Sequence, residues 1–288
     1  NIDKNQNLNL KLFFIKENTT KDRKLKKKIN NIIKEQEKEE REVIKIKAIV
    51  LAGGYGTRLY PLTEYTPKPL LKVAGKPMVE HIIAKLEELD IVNNIYIVTN
   101  DKFERHFTEW LQNFNAKKPI EIINDKTKSN EDRLGALGDV QYTINKKKID
   151  DDIIAIAGDN LFDMQLHEVA AIFKKRRHNV IVLYDVKDLG LAKHYGVVDV
   201  KDNIVAGFEE KPSNPKSTLI STGIYLFPKH VIDLIEKYIS QGNNPDKTGD
   251  FIGWLHKREN VYAYVTEKTW YDIGDIEQFK KANEHYKG

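Results

Sequence analysis

The chain has 288 residues, of which 40% are hydrophobic and 31% charged, values typical of a water-soluble globular protein. Its formal net charge of +4 argues against a general affinity for nucleic acid, and the absence of cysteine excludes disulfides and thiolate metal sites. With no apolar run near the roughly 20 residues of a membrane span and no signal peptide, we expect a cytoplasmic protein that binds neither nucleic acid nor membrane.

Residues 1–44 form the first predicted segment, a charged and partly helical arm. The segment is rich in Asn, Lys and Glu and contains neither Gly nor Pro. Leu25, Ile29, Ile32 and Ile33 have the spacing of one apolar helix face. A helix that binds a protein partner or nucleic acid is the alternative interpretation. The chain begins with Asn rather than Met, which is consistent with a piece of a longer protein.

From residue 45 to residue 288, the pattern predicts one α/β domain. The run IKAIVL, which ends at Leu51, has the continuous apolar character of a strand covered on both faces. Similar runs follow at Ile95, Ile120, Asp152 and Val180, and helical patterns lie between them. One helix is predicted to start at Pro77, with a buried face that contains Met78, Val79, Ile82, Ile83, Leu86 and Leu89. This alternation favours a doubly wound, mostly parallel sheet.

After Tyr195 the predicted strands follow one another closely. The runs YGVVDV, NIVAGFEEK and STLISTGIYLF leave no room for helices between them. Such spacing is typical of antiparallel strands, so we expect a small antiparallel addition that carries part of the functional site.

The stretch LAGGYGTRL directly follows the first predicted strand. In open α/β sheets, ligands bind at the carboxyl ends of the strands. Gly53, Gly54 and Gly56 can adopt positive φ and turn backbone N–H groups toward an anion, and Arg58 and Lys68 add positive charge nearby. The spacing does not match a P-loop, and it lacks the third glycine of a dinucleotide-binding fingerprint. We therefore predict a different kind of phosphate loop.

The longer stretch LAGGYGTRLYPLTEYTPKPLL resembles the signature of the sugar-1-phosphate nucleotidylyltransferases. Five further motifs occur in the order of that family: AGDNLF, YGVV, FEEKP, STGIY and WYDIGD. The resemblance extends from Lys45 to Lys287. It implies a Rossmann-like fold of the glycosyltransferase-A type. It also implies a reaction in which a nucleoside triphosphate and a sugar 1-phosphate give an NDP-sugar and pyrophosphate. Glucose-1-phosphate thymidylyltransferases are close relatives by these motifs, so dTTP or UTP is the favoured nucleotide.

The implied reaction needs positive charge rather than a general base. Its nucleophile is a phosphate oxygen that is already ionised at neutral pH, so the enzyme must bring two polyanions together and stabilise charge at the α-phosphorus. By resemblance, Arg58 lies beside the departing pyrophosphate, Lys68 beside the attacked phosphate, and Lys211 beside the sugar phosphate. For each residue, the alternative is an ordinary solvated surface charge.

The resemblance also implies a metal site and two substrate sites. Asp159, which follows the strand DIIAIA, and Asp272 match the metal-binding carboxylates, and Mg²⁺ or Mn²⁺ prefers such oxygen ligands. Either aspartate could instead cap a helix or a turn. The residues expected to bind the nucleotide are Leu51, Ala52, Gly53, Gly54, Gly56, Thr57, Arg58 and Gly135. The residues expected to bind the sugar phosphate are Gly196, Glu210, Lys211, Thr222 and Gly223.

The stretch EDRLGALGDV departs from the family's pattern where the base is normally read. Asp132 and Arg133 replace small residues there. They could form a salt bridge that shapes the loop, or they could contact the nucleotide. The identity of the base is therefore left open by the sequence.

Two other functions compete with the leading one. The same fold could transfer a cytidylyl group from CTP to a non-sugar acceptor such as phosphocholine, with release of pyrophosphate. Choline, however, requires an aromatic cage, whereas EEKP favours a hydroxyl-rich sugar. A catalytically silent regulatory subunit that binds nucleotide sugars would normally lack a catalytic cation or metal carboxylate, and this chain retains all of them. We therefore expect an enzyme of sugar nucleotide and polysaccharide biosynthesis. The sequence is compatible with a homo-oligomer and does not identify the sugar.

Overall fold

A computed structural model describes residues 44–287 of the chain. Apart from Ile44, the arm predicted for residues 1–44 lies outside the described residues. Among those described, no helix is long and apolar enough to cross a membrane.

A mixed sheet of nine strands forms the centre of the described part of the chain. The strands, in chain order and including four that lie outside this sheet, are β1 (Ile46–Leu51), β2 (Lys72–Val73), β3 (Lys76–Pro77), β4 (Val92–Thr99), β5 (Ile120–Asn124), β6 (Asp152–Ala157), β7 (Asn160–Phe162), β8 (Asn179–Asp185), β9 (Gly196–Lys201), β10 (Ile204–Glu210), β11 (Leu219–Phe227), β12 (Val261–Thr266) and β13 (Trp270–Asp272). The order across the sheet is β5-β4-β1-β6-β11-β8-β12-β10-β9. β2 pairs with β3, and β7 pairs with β13, as two small separate ribbons.

The parallel part of the sheet is where the sequence predicts it. β5, β4, β1 and β6 are parallel neighbours, and β8 is parallel to β12. β9, β10 and β11, the strands predicted after Tyr195, make antiparallel pairs as expected, but they are more than a small addition to a mostly parallel sheet. β11 lies between β6 and β8 and is antiparallel to both, in the middle of the sheet. Its last four residues, 224–227, are all buried, which suits a strand with a neighbour on either side.

The described part of the chain contains eight α-helices. They are α1 (Met78–Glu87), α2 (Glu104–Gln112), α3 (Ala136–Lys147), α4 (Leu166–Arg176), α5 (Leu189–Ala192), α6 (Val231–Ser240), α7 (Thr248–Leu255) and α8 (Ile276–His285). All six apolar residues predicted for the buried face of α1 are buried. Pro77 precedes this helix as its cap residue rather than beginning it.

The main hydrophobic core packs α3, α6 and α7 against the sheet. Phe251 of α7 lies at its centre, with ring centroids 5.4 Å from Tyr238, 5.8 Å from Phe227 and 5.9 Å from Trp254. Burying one side chain of this size stabilises a fold by roughly 1.5–3 kcal/mol. Ile49 of β1 and Ala155 of β6 belong to this core, so it packs against the strands that lead to the site.

Candidate active site

The predicted phosphate loop and the predicted metal ligand leave the sheet at the same place. In the parallel pairing of β1 with β6, Leu51 at the end of β1 lies opposite Ala157 at the end of β6. The backbone N–H of Gly158 donates to the carbonyl of Leu51 at 2.8 Å. A Cβ at Gly158 would lie 2.6 Å from that carbonyl oxygen, so only glycine allows this close approach. Asp159, the next residue, therefore lies directly beside the glycine loop.

A cavity of about 510 Å³ opens at this point. All eight residues predicted to bind the nucleotide line it, and Lys68 and Asp159 line it as well. Nine other lining residues were not among the predicted site residues, and they include Asn130, Arg133, Asp139 and Asp246. The cavity is thus formed by the glycine loop on one side and by the start of α3 on the other.

The glycine loop is held in shape from behind. Asn100 donates from Nδ2 to the carbonyl of Gly53 at 2.9 Å, and the buried Thr63 hydroxyl donates to the carbonyl of Gly56 at 2.7 Å. Gly56 has a φ of 63°, in the left-handed region that favours glycine. A Cβ at Gly54, in contrast, would meet no atom within 4 Å. Gly54 therefore has free space beside it for a ligand to approach the backbone.

Lys68 and Asp159 form a salt bridge at the edge of the cavity. Lys68 Nζ lies 2.5 Å from Asp159 Oδ2, and Lys68 is only 8% exposed. Burial disfavours the ionised form of Asp159, but the charge and hydrogen bond of Lys68 outweigh this effect and lower the pKa of the carboxyl. A predicted catalytic cation and a predicted metal ligand are therefore direct partners.

Asp272 is brought to the same point by the ribbon of β7 and β13. In this antiparallel ribbon Asp272 lies opposite Asn160, the residue that follows Asp159. Burial and the negative charge of Asp159 raise the pKa of Asp272 to about 6. The positive charges of Lys68, Arg58 and Lys211 act in the opposite direction, so all three predicted cations are close enough to affect the pKa of this carboxyl.

The two carboxylates fit a magnesium ion. Mg²⁺ usually binds one or two protein carboxylates and completes its coordination with water and substrate phosphates. The mutual repulsion that raises the pKa of Asp272 is the kind of strain that a divalent cation relieves. The structure has no group of three or more His, Cys, Asp or Glu side chains suited to a metal within residues 44–287. The remaining positions would therefore be filled from solution or from the substrates.

Glu210 lies at the end of β10 between two glycines. A Cβ at Gly249 would lie 2.8 Å from Glu210 Oε2, and a Cβ at Gly196 would lie 3.1 Å from it. Burial raises the pKa of Glu210, against the charges of Lys247 and Lys211. Lys247 Nζ lies 3.4 Å from Glu210 Oε1. The predicted sugar-binding acid is thus partly buried and has a cationic partner.

Thr222 and Gly223 lie where the pairing of β11 with β8 is irregular. The Thr222 hydroxyl donates to the Val182 carbonyl at 2.9 Å, so this side chain is occupied within the protein. The Thr222 carbonyl accepts from Asn160 Nδ2 at 2.5 Å, and Gly223 has a φ of 76°. Both residues therefore adjoin the segment that carries Asp159, and both the hydroxyl and the carbonyl of Thr222 are hydrogen-bonded within the protein.

Asp132 and Arg133 have different partners. Asp132 accepts hydrogen bonds from the backbone N–H groups of Lys128 and Ser129, which lower its pKa. Arg133 pairs with Asp246, with Nε 3.0 Å from Oδ1. Both side chains thus shape the loop before α3, but they do so without pairing with each other.

The first backbone N–H groups of α3 donate hydrogen bonds to carbonyl groups of the protein itself. Ala136 N–H donates to the carbonyl of Asp246 at 2.9 Å, and Leu137 N–H donates to the carbonyl of Pro245 at 3.0 Å. A Cβ at Gly135 would lie 2.3 Å from Asp246 Cα, which explains the glycine. These two N–H groups are therefore not available to a phosphate.

Two buried acids in this region were not predicted from the sequence. Asp139 on α3 is 5% exposed, and Asp125 after β5 is 4% exposed. Burial, the charge of Asp125 and a hydrogen bond between the two carboxyls raise the pKa of Asp139 to about 8. Nothing in the stretch LGALGDV distinguishes a buried acid from an exposed one.

The chain is similar in sequence to a family of nucleotidyl transferases. A family model described as nucleotidyl transferase matches residues 47–288. The bifunctional protein GlmU of Methanocaldococcus jannaschii is 35% identical over 239 residues, which are 83% of this chain and 53% of that protein. A UTP–glucose-1-phosphate uridylyltransferase of Synechocystis is 30% identical over 246 residues, 82% of this chain and 62% of that protein. The chain thus spans about half the length of the GlmU relative.

Solved structures show the same fold. A Bacillus anthracis protein described as a glucose-1-phosphate thymidylyltransferase superposes with a TM-score of 0.71 and 26% identity, over 84% of this chain and 95% of that one. A UDP-glucose pyrophosphorylase complexed with UDP-glucose gives a TM-score of 0.71 at 20% identity, over 84% of this chain and 98% of that one.

Proposed function

The chain belongs to the nucleotidyl transferase family, among the sugar-1-phosphate nucleotidylyltransferases, and we propose that it transfers a nucleotidyl group from UTP or dTTP to a sugar 1-phosphate. The products are an NDP-sugar and pyrophosphate. The observation that carries this proposal is the convergence of Lys68, Asp159 and Asp272 beside the cavity that the glycine loop lines.

The reaction is a displacement at the α-phosphorus. A phosphate oxygen of the sugar 1-phosphate forms a bond to the α-phosphorus, and the bond between that phosphorus and the pyrophosphate oxygen breaks. The nucleophile enters as an anion, so no proton has to be removed first. The protein must hold two polyanions in line and stabilise the charge that develops between them.

The cations divide this task. Lys68, buried and fixed by Asp159, is suited to charge at the α-phosphate, because a desolvated cation stabilises developing charge more strongly than an exposed one. Arg58 lines the cavity and would bind the departing pyrophosphate. Lys211, next to Glu210, would bind the phosphate of the sugar substrate. Asp159 and Asp272 would hold Mg²⁺ or Mn²⁺, which when bound neutralises phosphate charge.

The choice of UTP or dTTP is part of the proposal. It is supported by the motifs of the glycine loop and by the similarity to a protein named as a UTP–glucose-1-phosphate uridylyltransferase. Asn130, Arg133 and Gly135 line the cavity on the side of α3 and would face the base. The similarity to thymidylyltransferase and pyrophosphorylase structures supports the glycosyltransferase-A type of fold.

Transfer of the cytidylyl group of CTP to phosphocholine, with release of pyrophosphate, is the other acceptor chemistry that this fold could support. Tyr184, Tyr195 and Trp270 form an aromatic group near Asp272, with centroids 5.8 and 5.6 Å from that of Trp270. These rings pack against one another around a small apolar cluster, whereas a choline cage needs ring faces open to the cation. A sugar acceptor is therefore favoured.

A substrate matrix tests the proposal. The full chain would be incubated with Mg²⁺ and with each of UTP, dTTP, CTP, GTP and ATP against glucose 1-phosphate, mannose 1-phosphate and phosphocholine, and pyrophosphate release would be measured. We expect release with UTP or dTTP and at least one sugar phosphate. Release only with CTP and phosphocholine would establish the alternative acceptor. Nucleotide binding without release from any pair would indicate a silent subunit.

A further inference from the structure

Asp125 and Asp139 meet directly beneath the first glycine of the phosphate loop. A Cβ at Gly53 would lie 2.5 Å from Asp139 Oδ2 and 3.2 Å from Asp125 Oδ2. The pair thus touches the backbone that would hold the nucleotide, and Asp139 lines the cavity. The catalytic scheme above gives neither acid a role.

The hydrogen bonds of the Asp125–Asp139 pair require a proton. Asp125 Oδ1 is occupied, because it accepts from Thr127 N–H at 2.7 Å and from the Thr127 hydroxyl at 2.8 Å. The Oδ2 atoms of both acids lie beside the same point, the position of a Cβ at Gly53, and two ionised carboxylates contain no donor with which to hydrogen-bond to each other. Asp139 Oδ1 is buried and has no partner. Asp139 is therefore the acid that carries the proton.

The charges that face the pair do not neutralise it. Asp132 raises the pKa of Asp125 through its negative charge, and the Tyr55 hydroxyl lies 3.4 Å from Thr127 Oγ1. Arg133, on the same cavity wall, is paired with Asp246. Across the cavity, Lys68 is paired with Asp159, and Arg58 lies near Asp272. A second negative charge on the pair would thus act on the glycine loop with little compensation.

We propose that the Asp125–Asp139 pair is a proton-dependent part of the nucleotide site, in which Asp139 positions the glycine loop and must be protonated for a nucleoside triphosphate to bind well. The proposal rests on the function proposed above. Loss of the proton leaves two facing carboxylates in a poorly solvated place directly under a loop that must bind a polyanion. By linkage, nucleotide binding must then take up a proton wherever the free protein has lost it.

The pH range of this effect differs from that of the metal site. Burial, the charge of Asp125 and their hydrogen bond raise the pKa of Asp139 to about 8, whereas that of Asp272 is raised to about 6. Between pH 8 and pH 9 Asp272 is ionised, as is free UTP. Proton uptake in this range that is lost when Asp139 is replaced by Asn therefore reports on Asp139.

Calorimetric titration in buffers of different ionisation enthalpy tests the proposal. Mg²⁺–UTP and Mg²⁺–dTTP would be titrated into the full chain at pH 7, 8 and 9, and the number of protons taken up would be obtained from the dependence of the observed heat on the buffer. For the wild type we expect uptake that approaches one proton near pH 9. We also expect Kd to rise by up to tenfold per pH unit above pH 8.

Asp139→Asn is the decisive variant, because its amide can still donate to Asp125 but does not ionise. We expect it to show no linked proton uptake and a Kd that is independent of pH from 7 to 9. Asp152→Asn is the matched control: Asp152 is also buried, but its partner is Arg177, so uptake should be that of the wild type. Equal uptake by the wild type and Asp139→Asn, or no uptake by the wild type, would overturn the proposal.

The nucleotide panel separates this proposal from the function on which it rests. If UTP and dTTP fail to bind at pH 7 but CTP, GTP or ATP binds, the base was wrongly proposed, and the titrations with that nucleotide decide the role of Asp139. If none of the five binds, both proposals fail. If Asp139→Asn does not fold, as judged by circular dichroism, the wild-type buffer series alone decides: absence of uptake rejects the proposal, and uptake between pH 8 and 9 supports it.

Discussion

Lys68 and Asp159 are 91 positions apart in the sequence, yet Lys68 Nζ donates to Asp159 Oδ2 at 2.5 Å. The pairing has a consequence for both residues. It fixes the ammonium group at the wall of the nucleotide cavity, and it occupies one of the two oxygens of a predicted metal ligand. The other oxygen, Oδ1, remains for a metal. One carboxylate can therefore position a cation and bind a metal together.

Lys68→Ala should lower kcat about a hundredfold, because a charge-assisted contact in a desolvated site contributes roughly 3 kcal/mol to transition-state stabilisation. Lys68→Arg should not restore kcat, since a planar guanidinium does not replace a compact ammonium in a site that is only 8% exposed. Steady-state kinetics with both substrates saturating would measure this. Lys72→Ala, at an exposed position on β2, is the control and should keep the wild-type kcat. A wild-type kcat for Lys68→Ala would mean that Lys68 does not act on the transition state.

The convergence of Lys68 with Asp159 was predictable only through the family resemblance. Apolar runs such as IKAIVL and DIIAIA predict strands because a buried strand has a local signature. The position of β11 between β6 and β8 has no such signature, because strand order depends on tertiary packing. The Arg133–Asp246 pair joins residues 113 positions apart and is equally invisible in the sequence. Asp139 was missed because a buried acid and an exposed acid look the same in a sequence.

Lys211→Ala should act mainly on KM for the sugar 1-phosphate rather than on kcat. Lys211 follows Glu210 at the end of β10, and its backbone N–H donates to the Tyr195 carbonyl at 3.0 Å, which holds it on the proposed sugar side. A contact made equally in the bound substrate and in the transition state changes KM alone. Initial rates at varied sugar phosphate would measure it, with Lys216→Ala, also exposed, as control. A fall in kcat with an unchanged KM would place Lys211 at the reacting phosphate instead.

Metal binding should weaken as the pH falls through about 6. The pKa of Asp272 is raised to about 6, so this carboxyl loses its charge below that pH, whereas the lowered pKa of Asp159 keeps Asp159 ionised. Titration with Mn²⁺ followed by electron paramagnetic resonance would show Kd rising below pH 6 and constant above pH 7. Asp159→Asn should abolish turnover and weaken Mn²⁺ binding, whereas Asp163→Asn, at an exposed position, should do neither. Undiminished pyrophosphate release in EDTA would contradict the metal assignment.

Deletion of residues 1–40 should preserve catalysis. The first strand begins at Ile46, and every residue that we assign to catalysis or to substrate and metal binding lies at or after Leu51. kcat/KM of the truncated protein should therefore equal that of the full chain, provided that its circular dichroism and melting temperature show an intact fold. A folded, truncated protein with a much lower kcat/KM would show that the predicted arm completes the site.

Asp139→Asn should stabilise the protein increasingly as the pH rises from 4 to 8. The pKa of Asp139 is raised to about 8 in the folded protein, chiefly by burial, while in the unfolded chain it stays near its ordinary value of about 4. Between these values the folded protein holds a proton that the unfolded chain has lost. Since the native state binds more protons there, the free energy of unfolding of the wild type falls as the pH rises.

The amide that Asp139→Asn introduces does not titrate. The free energy of unfolding of the variant therefore lacks the fall with rising pH that Asp139 causes in the wild type. Urea unfolding of both proteins at pH 5, 6, 7 and 8 would give the difference in the free energy of unfolding. That difference should shift in favour of the variant at each step and level off above pH 8, where Asp139 is ionised in both states. Asp152→Asn should not show this trend, because Asp152 is buried beside Arg177 rather than beside a second acid. A difference that does not change with pH would mean that Asp139 is ionised in the folded protein, and it would remove the basis for a shared proton beneath Gly53.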